Sequence, residues 1–199
     1  GHNSITFNTL SDGTYSDCTI TVSDTAGNES ILLTITTFEV DSTASTLVET
    51  TGVSSSTNDT TPDYTFVSTE AGTITYSGSC SSSTTSATAG TNTITLNSLI
   101  DGTYSDCKIT ITDSLGNSVT LNIGSFDIDT SSPTVSSISP TDNQSAVAIS
   151  ENISVTFSDA MDNTSITTNT DNTSCYGTLM VSSDNFSNCV QMASTNKAL

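Results

Sequence analysis

The sequence predicts an all-β protein assembled from repeated units, and three observations carry that prediction. Apolar residues come in short alternating bursts, as in TITVS, TITLN, KITITD and NISVTF. That is the period-2 pattern of strands with one buried face. Ser and Thr are abundant and no stretch has the period of an amphipathic helix, a composition that suits strands and turns. Finally, LSDGTYSDC at positions 10–18 returns, one letter changed, as LIDGTYSDC at 99–107.

The repeat sets the frame. Gly13 and Gly102 define a period of 89 residues, and Cys18/Cys107, Asp24/Asp113, Gly27/Gly116 and Asn28/Asn117 all keep it. After a slip of one residue, FEVDSTAS (38–45) returns as FDIDTSSP (126–133). A unit of this length with short strands and frequent turns has the size of an immunoglobulin-like β-sandwich. It is too long for a solenoid turn or a propeller blade. The expected architecture is therefore a tandem of immunoglobulin-like β-sandwiches. Residues 42–129 form one complete unit, residues 1–41 match only the C-terminal half of it, and residues 130–199 begin a third, divergent unit. On this reading the chain starts and stops inside domains, as a window in a longer array.

Within the complete unit the alternation predicts strands near 46–50, 62–68, 72–78, 92–97, 103–112 and 118–128. STEAGT (68–73), SLIDGT (98–103) and TDSLGNS (112–118) are the turns, each with Gly where a positive φ is useful. Along 103–112, Cys107, Ile109 and Ile111 share a parity and are expected to point inward. Tyr104 has the opposite parity, which calls for either a bulge or a ring lying over the sheet edge.

Five cysteines fit the same frame. Cys80 ends a strand of the first half of the unit and Cys107 begins one in the second half, so they are natural partners. Cys18 is the counterpart of Cys107, and its own partner would lie before Gly1. Cys175 and Cys189 are expected to pair within the third unit. Such bridges stabilise by about 3 kcal/mol in the chain-entropy model and imply an oxidising compartment. Free buried thiols are the alternative; a metal–thiolate site lacks any C-x-x-C or Cys/His cluster.

Charge excludes several classes of function. Two Lys and Arg against 21 Asp and Glu give a net charge of −19. Nucleic acid and anionic membrane require a cationic face, so neither is an expected partner. Apolar runs fall far short of the about 20 residues a membrane helix needs, and GHNSITFNTL has neither the basic nor the apolar region of a signal peptide.

GTYSDCTITVSDTAGNES followed by FEVDSTAS, and GTYSDCKITITDSLGNSV followed by FDIDTSSPTV, resemble the bacterial Ig-like repeats of large surface adhesins and biofilm-associated proteins. STNDTTPDYTFVSTEAGTITY (56–76) is similar to the opening half of such a repeat. SPTDNQSAVAISENISVTFSDAMD (139–162) resembles the start of the Ig-like domain of S-layer-type and other bacterial surface proteins. One departure is Ala44, where the family usually has Pro in the linker. The resemblance implies an extracellular or cell-surface stalk segment, often stiffened by Ca²⁺ between domains. Its partners would be the neighbouring Ig-like domains of the same chain, with any host or surface ligand engaged by other domains.

The residues lend that expectation independent support. In an immunoglobulin topology, Asp12 of LSDGT, linker Asp41 and the DSLGN turn (Asp113, Asn117) should converge at the first junction. Asp101 and Asp129 would hold the equivalent place before the third unit. Clustered carboxylate and amide oxygens suit Ca²⁺, which takes roughly six to eight oxygen ligands. Asp, Asn and Gly are also ordinary turn formers, which is the plainer explanation.

Catalysis is not expected. The one histidine is His2, and the sequence holds no Ser-His-Asp set, nucleophile elbow or Gly-rich phosphate loop. Asp159 and Asp162 are better read as loop residues than as an acid/base pair. The alternative function is direct binding of a carbohydrate or protein ligand, for which Tyr176 and Phe186 in CYGT and DNFSN are the aromatic candidates. The absence of Trp and only 6% aromatics weaken it.

Overall fold

Alternating burial in the repeat is what the computed structural model builds its sheets from. It describes residues 2–148, 150–170 and 174–192. No helix occurs among them, and the chain divides into two units, Gly1–Thr130 and Ser131–Leu199.

The first unit opens with four short strands, β1 (Gly13–Tyr15), β2 (Thr19–Ile20), β3 (Leu33–Thr34) and β4 (Phe38–Val40). β1 pairs antiparallel with β4, and β2 with β3. The complete repeat follows as β5 (Leu47–Thr51), β6 (Ser56–Thr57), β7 (Asp63–Ser68), β8 (Gly72–Ser77), β9 (Ser86–Ala87), β10 (Gly90–Thr95), β11 (Gly102–Tyr104), β12 (Lys108–Thr112), β13 (Ser118–Asn122) and β14 (Phe126–Ile128). Three sheets arise, with orders β10-β7-β5, β13-β12-β8-β9 and β11-β14-β6. β6 runs parallel to β14, and the other pairings are antiparallel. The arrangement is an immunoglobulin-like β-sandwich.

One core joins these sheets. Tyr64 and Phe66 of β7, Ile74 of β8, Ile94 of β10, Ile109 and Ile111 of β12, and Phe126 and Ile128 of β14 are all buried in it. The parity of β7 shows the cause: Tyr64, Phe66 and Ser68 face inward while Asp63 is exposed and Thr65 and Val67 are half-buried. Every second side chain of a strand lies on the same face, so one apolar register commits the strand to one orientation.

The expected single strands at 103–112 and 118–128 are each two strands. Residues 102–104 pair with β14, whereas 108–112 pair with β8 and β13, so the chain changes sheets between Tyr104 and Cys107. The partner segment changes with it between Asn122 and Phe126. This resolves the parity of Tyr104 without a bulge or an edge-lying ring. The ring is 9% exposed and stacks on Phe126 with centroids 5.3 Å apart. Its hydroxyl donates to the Ile100 carbonyl at 2.9 Å and accepts from the Ile100 N–H at 3.1 Å. A buried phenol needs such partners, and the resulting corner pins the turn before β11.

Cys80 and Cys107 form a disulfide with Cα atoms 5.2 Å apart, joining the end of β8 to the start of β12. In the second unit, β15 (Val135–Ser139) and β16 (Ser154–Phe157) pair antiparallel, with a register shift between Val135 and Ser137. A parallel bridge links Thr168 to Leu179, and Cys175 is bonded to Cys189.

Candidate metal centre

The site begins in the D-x-x-G-N turn between β12 and β13. Asp113 Oδ1 accepts the N–H groups of Leu115 and Asn117 at 2.8 and 2.9 Å, and its Oδ2 accepts from Asn117 Nδ2 at 2.8 Å. An Asp at the start of a turn closes it by bonding the backbone a few residues on. Gly116 supplies the turn's φ of +96°, a left-handed value that L side chains rarely adopt. Hydrogen bonds from Asn117, with its side chain first, hold the Asp113 carboxyl below the usual carboxylate range.

The same Asn117 amide donates to the main-chain carbonyl of Asp41 at 3.1 Å. This contact brings the linker after β4 onto the turn. Asp41, Glu70 and Asp113 each offer a carboxylate oxygen, all within 4.8 Å of one another and each half-buried. Like charges at that distance repel one another, and a cation between them would relieve the repulsion. Lys108, the one Lys or Arg among the described residues, acts on Asp106 instead.

Glu70 is the member that the sequence reading missed. It lies in the β7–β8 turn, which reads in isolation as a plain turn. The register Thr73↔Thr112 puts this turn at the same end of the sheet as the β12–β13 turn. Gly72 permits the close approach, because a Cβ there would meet the Thr112 carbonyl oxygen at 2.6 Å. Glu70 Oε2 is buried and has no hydrogen-bond partner. A buried carboxylate oxygen left without a partner is costly. The oxygen-only donor set fits a hard cation such as Ca²⁺.

The remaining predicted ligands are placed differently. Asp12 clips the linker: its carboxylate accepts the Ser42 N–H at 3.1 Å, the Ser42 hydroxyl at 2.9 Å and the Thr43 hydroxyl at 2.8 Å. Those bonds, Thr43's first, lower its pKa. Asp101 does the same one repeat later, accepting the Thr130 N–H at 3.1 Å and its hydroxyl at 2.7 Å. The Asp129 N–H donates to the Thr57 carbonyl at 3.0 Å, tying the end of β14 to β6.

Comparison with known proteins adds the class. Residues 129–197 match the family model described as bacterial Ig-like domain. The match spans 139–162, the stretch whose pattern resembles the start of such a domain. No curated protein and no solved structure matches the chain. The chain is thus an all-β protein in which residues 129–197 are similar to a bacterial Ig-like domain.

Proposed function

We propose that this chain is a structural stalk or spacer segment of a large bacterial surface or secreted protein of the adhesin or biofilm type. In this role it is non-catalytic, and its Ig-like units act as one another's partners. The observation that carries this reading is the recurring linker clip. Asp12 grips residues 42–43 and Asp101 grips residue 130 with the same kinds of bond. A device repeated at the exit of each copy of the repeat fixes where the chain leaves it, as a spacer requires. The two disulfides support an oxidising, extracellular or cell-surface setting. Asp159 and Asp162 accept short bonds from Ser158 and Thr164 within their own turns, as loop residues do.

Within this reading, Ca²⁺ is held at the first junction by Asp41, Glu70 and Asp113. The unpartnered Glu70 Oε2 supports it, as does the mutual repulsion that a divalent cation would relieve. Small-angle scattering of the chain in Ca²⁺ and then in EDTA tests both parts. An elongated profile that broadens in EDTA, with no such response in Glu70→Gln, is the expected result. A compact globular profile would remove the spacer; an elongated profile indifferent to EDTA would remove Ca²⁺ and leave the clips to set the joint.

A second reading, direct ligand binding, is favoured by one observation. Tyr176 and Phe186 are 41% and 56% exposed beside the Cys175–Cys189 bridge. Saturation-transfer NMR of the chain against a panel of oligosaccharides checks it: a transfer signal that vanishes in Phe186→Ala would favour binding over support.

A further inference from the structure

The sheet β10-β7-β5 has two edges, and they are built differently. β5 carries Glu49 and a register shift between Glu49 and Thr51, and both a charge and a bulge discourage a further strand from pairing. β10 (GTNTIT) pairs with β7 in unbroken register and has no charge, no Pro and no bulge. The Leu96 N–H donates to the Pro62 carbonyl at 3.0 Å, so antiparallel alternation turns the even-numbered main chain of β10 toward β7. The N–H and C=O groups of Thr91 and Thr93 therefore point to the open side, where no strand lies among the described residues. Both residues are exposed. Past them the edge is closed, because the Ser82 hydroxyl donates to the Thr95 carbonyl at 2.6 Å.

Charge singles out the same side of the sandwich. All 21 acidic side chains lie outside residues 71–100, the stretch that forms β8, β9 and β10. β9 ends the other sheet, and only Thr88 and Ala89 separate it from β10, so the two edges share one side. The Asn92 side chain fixes this turn: it donates to the carbonyls of Thr88 and Gly90 at 2.8 and 3.0 Å and accepts the Thr88 N–H at 2.8 Å. On the neighbouring strand Asp63 sits opposite Thr95, whose hydroxyl donates to it at 2.6 Å, at the closed end of the edge. Two copies of net charge −19 repel one another, and least where neither presents a carboxylate.

We propose that β10 pairs with β10 of a second copy of this chain, antiparallel about a two-fold axis through Asn92. Thr91 of each copy then lies opposite Thr93 of the other, and these residues exchange four main-chain hydrogen bonds. The edge is self-complementary, as a two-fold contact requires. A cationic partner would be drawn to the charged remainder of the surface instead. A contact this small is weak, with a Kd on the order of 0.1–1 mM. Pairing of this kind goes beyond a spacer's support and needs only the complete repeat.

Sedimentation equilibrium of the whole chain carrying Cys18→Ser, which removes thiol-linked dimers, tests it. The mean mass should rise toward that of a dimer as concentration enters the millimolar range. The dimer should tighten as NaCl rises from about 0.05 to about 0.5 M, because salt screens the repulsion between copies. Hydrogen exchange at the Thr91 and Thr93 amides should slow over the same concentrations. Thr93→Pro removes one outward N–H without touching a bond to β7, and Thr91→Glu puts a carboxylate of each copy into the contact. Each should raise Kd at least about tenfold, and Thr91→Glu, at an exposed position, should leave the melting temperature unchanged. If proline costs the fold, Thr91→Glu decides alone. A monomer at every concentration would overturn the proposal. So would a dimer that Thr91→Glu leaves intact, or one that protects the amides of Ile20 and Ile35 rather than those of Thr91 and Thr93.

Discussion

Residues 2–41 and 91–129 carry two copies of one sequence repeat, and the structure gives them nearly the same hydrogen bonds but not the same core. Tyr15 donates to Ser11 O at 2.9 Å, as Tyr104 does to Ile100 O at 2.9 Å. Tyr15 stacks on Phe38 at 5.2 Å, and Tyr104 on Phe126 at 5.3 Å. The Asp24–Asn28 turn repeats the Asp113–Asn117 turn bond for bond, at 2.9 Å to the backbone and 2.8 Å to the side chain. Yet Phe126, Ile109 and Cys107 are at most 1% exposed, while Phe38, Ile20 and Cys18 are half-buried. Corners, turns and hairpin registers are therefore encoded within about 40 residues of sequence. Burial is not: it needs β5, β7 and β8, which no segment supplies to the first copy among the described residues.

If that is right, matched substitutions should cost far more in the second copy than in the first. The largest gap is expected for Phe126→Ala against Phe38→Ala. Removing a fully buried Phe from a packed core costs about 3–5 kcal/mol. The half-buried ring of Phe38 should cost about 1 kcal/mol, since most of its transfer term is absent. Urea unfolding followed by tyrosine fluorescence reads both. Equal shifts would mean that the first copy has a core of its own.

Next comes Cys80→Ser. The bridge spans 27 residues, for which the loop-entropy model gives about 3.5 kcal/mol. Cys18→Ser, which breaks no bond, should shift the midpoint by no more than about 0.5 kcal/mol. A smaller gap follows for the corner. Tyr104→Phe removes a hydrogen bond at a buried ring and should cost about 1–1.5 kcal/mol. Tyr15→Phe, at a half-buried ring, should cost about half as much. Comparable losses at the two tyrosines would show that the corner is stabilised locally rather than by the core around it.

These contrasts explain what was legible in the sequence. The all-β class, the repeat and the turns were, because each rests on residues close in the chain: alternating Ile and Thr, D-x-x-G-N, G-T-Y. The change of sheet between Tyr104 and Cys107 was not, because nothing local distinguishes a strand that continues from one that crosses over. The parity of Tyr104 was the only trace, and it read as a bulge or as a ring at the sheet edge rather than as a change of sheet. Glu70 escaped for the same reason. Its role depends on the pairing of β8 with β12, a contact some 40 residues long in sequence, and STEAGT alone looks like a turn. Asp12 and Asp101 accept hydrogen bonds from Ser42, Thr43 and Thr130, partners that a D-G-T turn read alone does not reveal.

The smallest expected effect concerns acid. Asp113 and Asp24 both have carboxyls held below their ordinary value of 3.8, chiefly by the side chains of Asn117 and Asn28. A carboxyl depressed in the folded state contributes stability above its unfolded pKa and loses it as pH falls through the folded value. Both turns should therefore weaken only below about pH 4. In the complete repeat, Asp113→Asn should flatten the fall in melting temperature below that pH, because the ionised form no longer has to be protonated there. The same substitution at Asp24 should leave that melting curve unchanged, since its turn closes no core whose unfolding is being measured. Asp113 also faces Asp41 and Glu70, and repulsion among the three opposes the turn's bonds at neutral pH. Asp113→Asn should thus relieve that repulsion near neutrality while removing the acid dependence, and Ca²⁺ should stabilise the native chain more than the variant. Thermal melts across this pH range, with and without Ca²⁺, separate the two contributions. A native chain whose acid dependence and Ca²⁺ response both survive in Asp113→Asn would place the titrating groups elsewhere than in this turn.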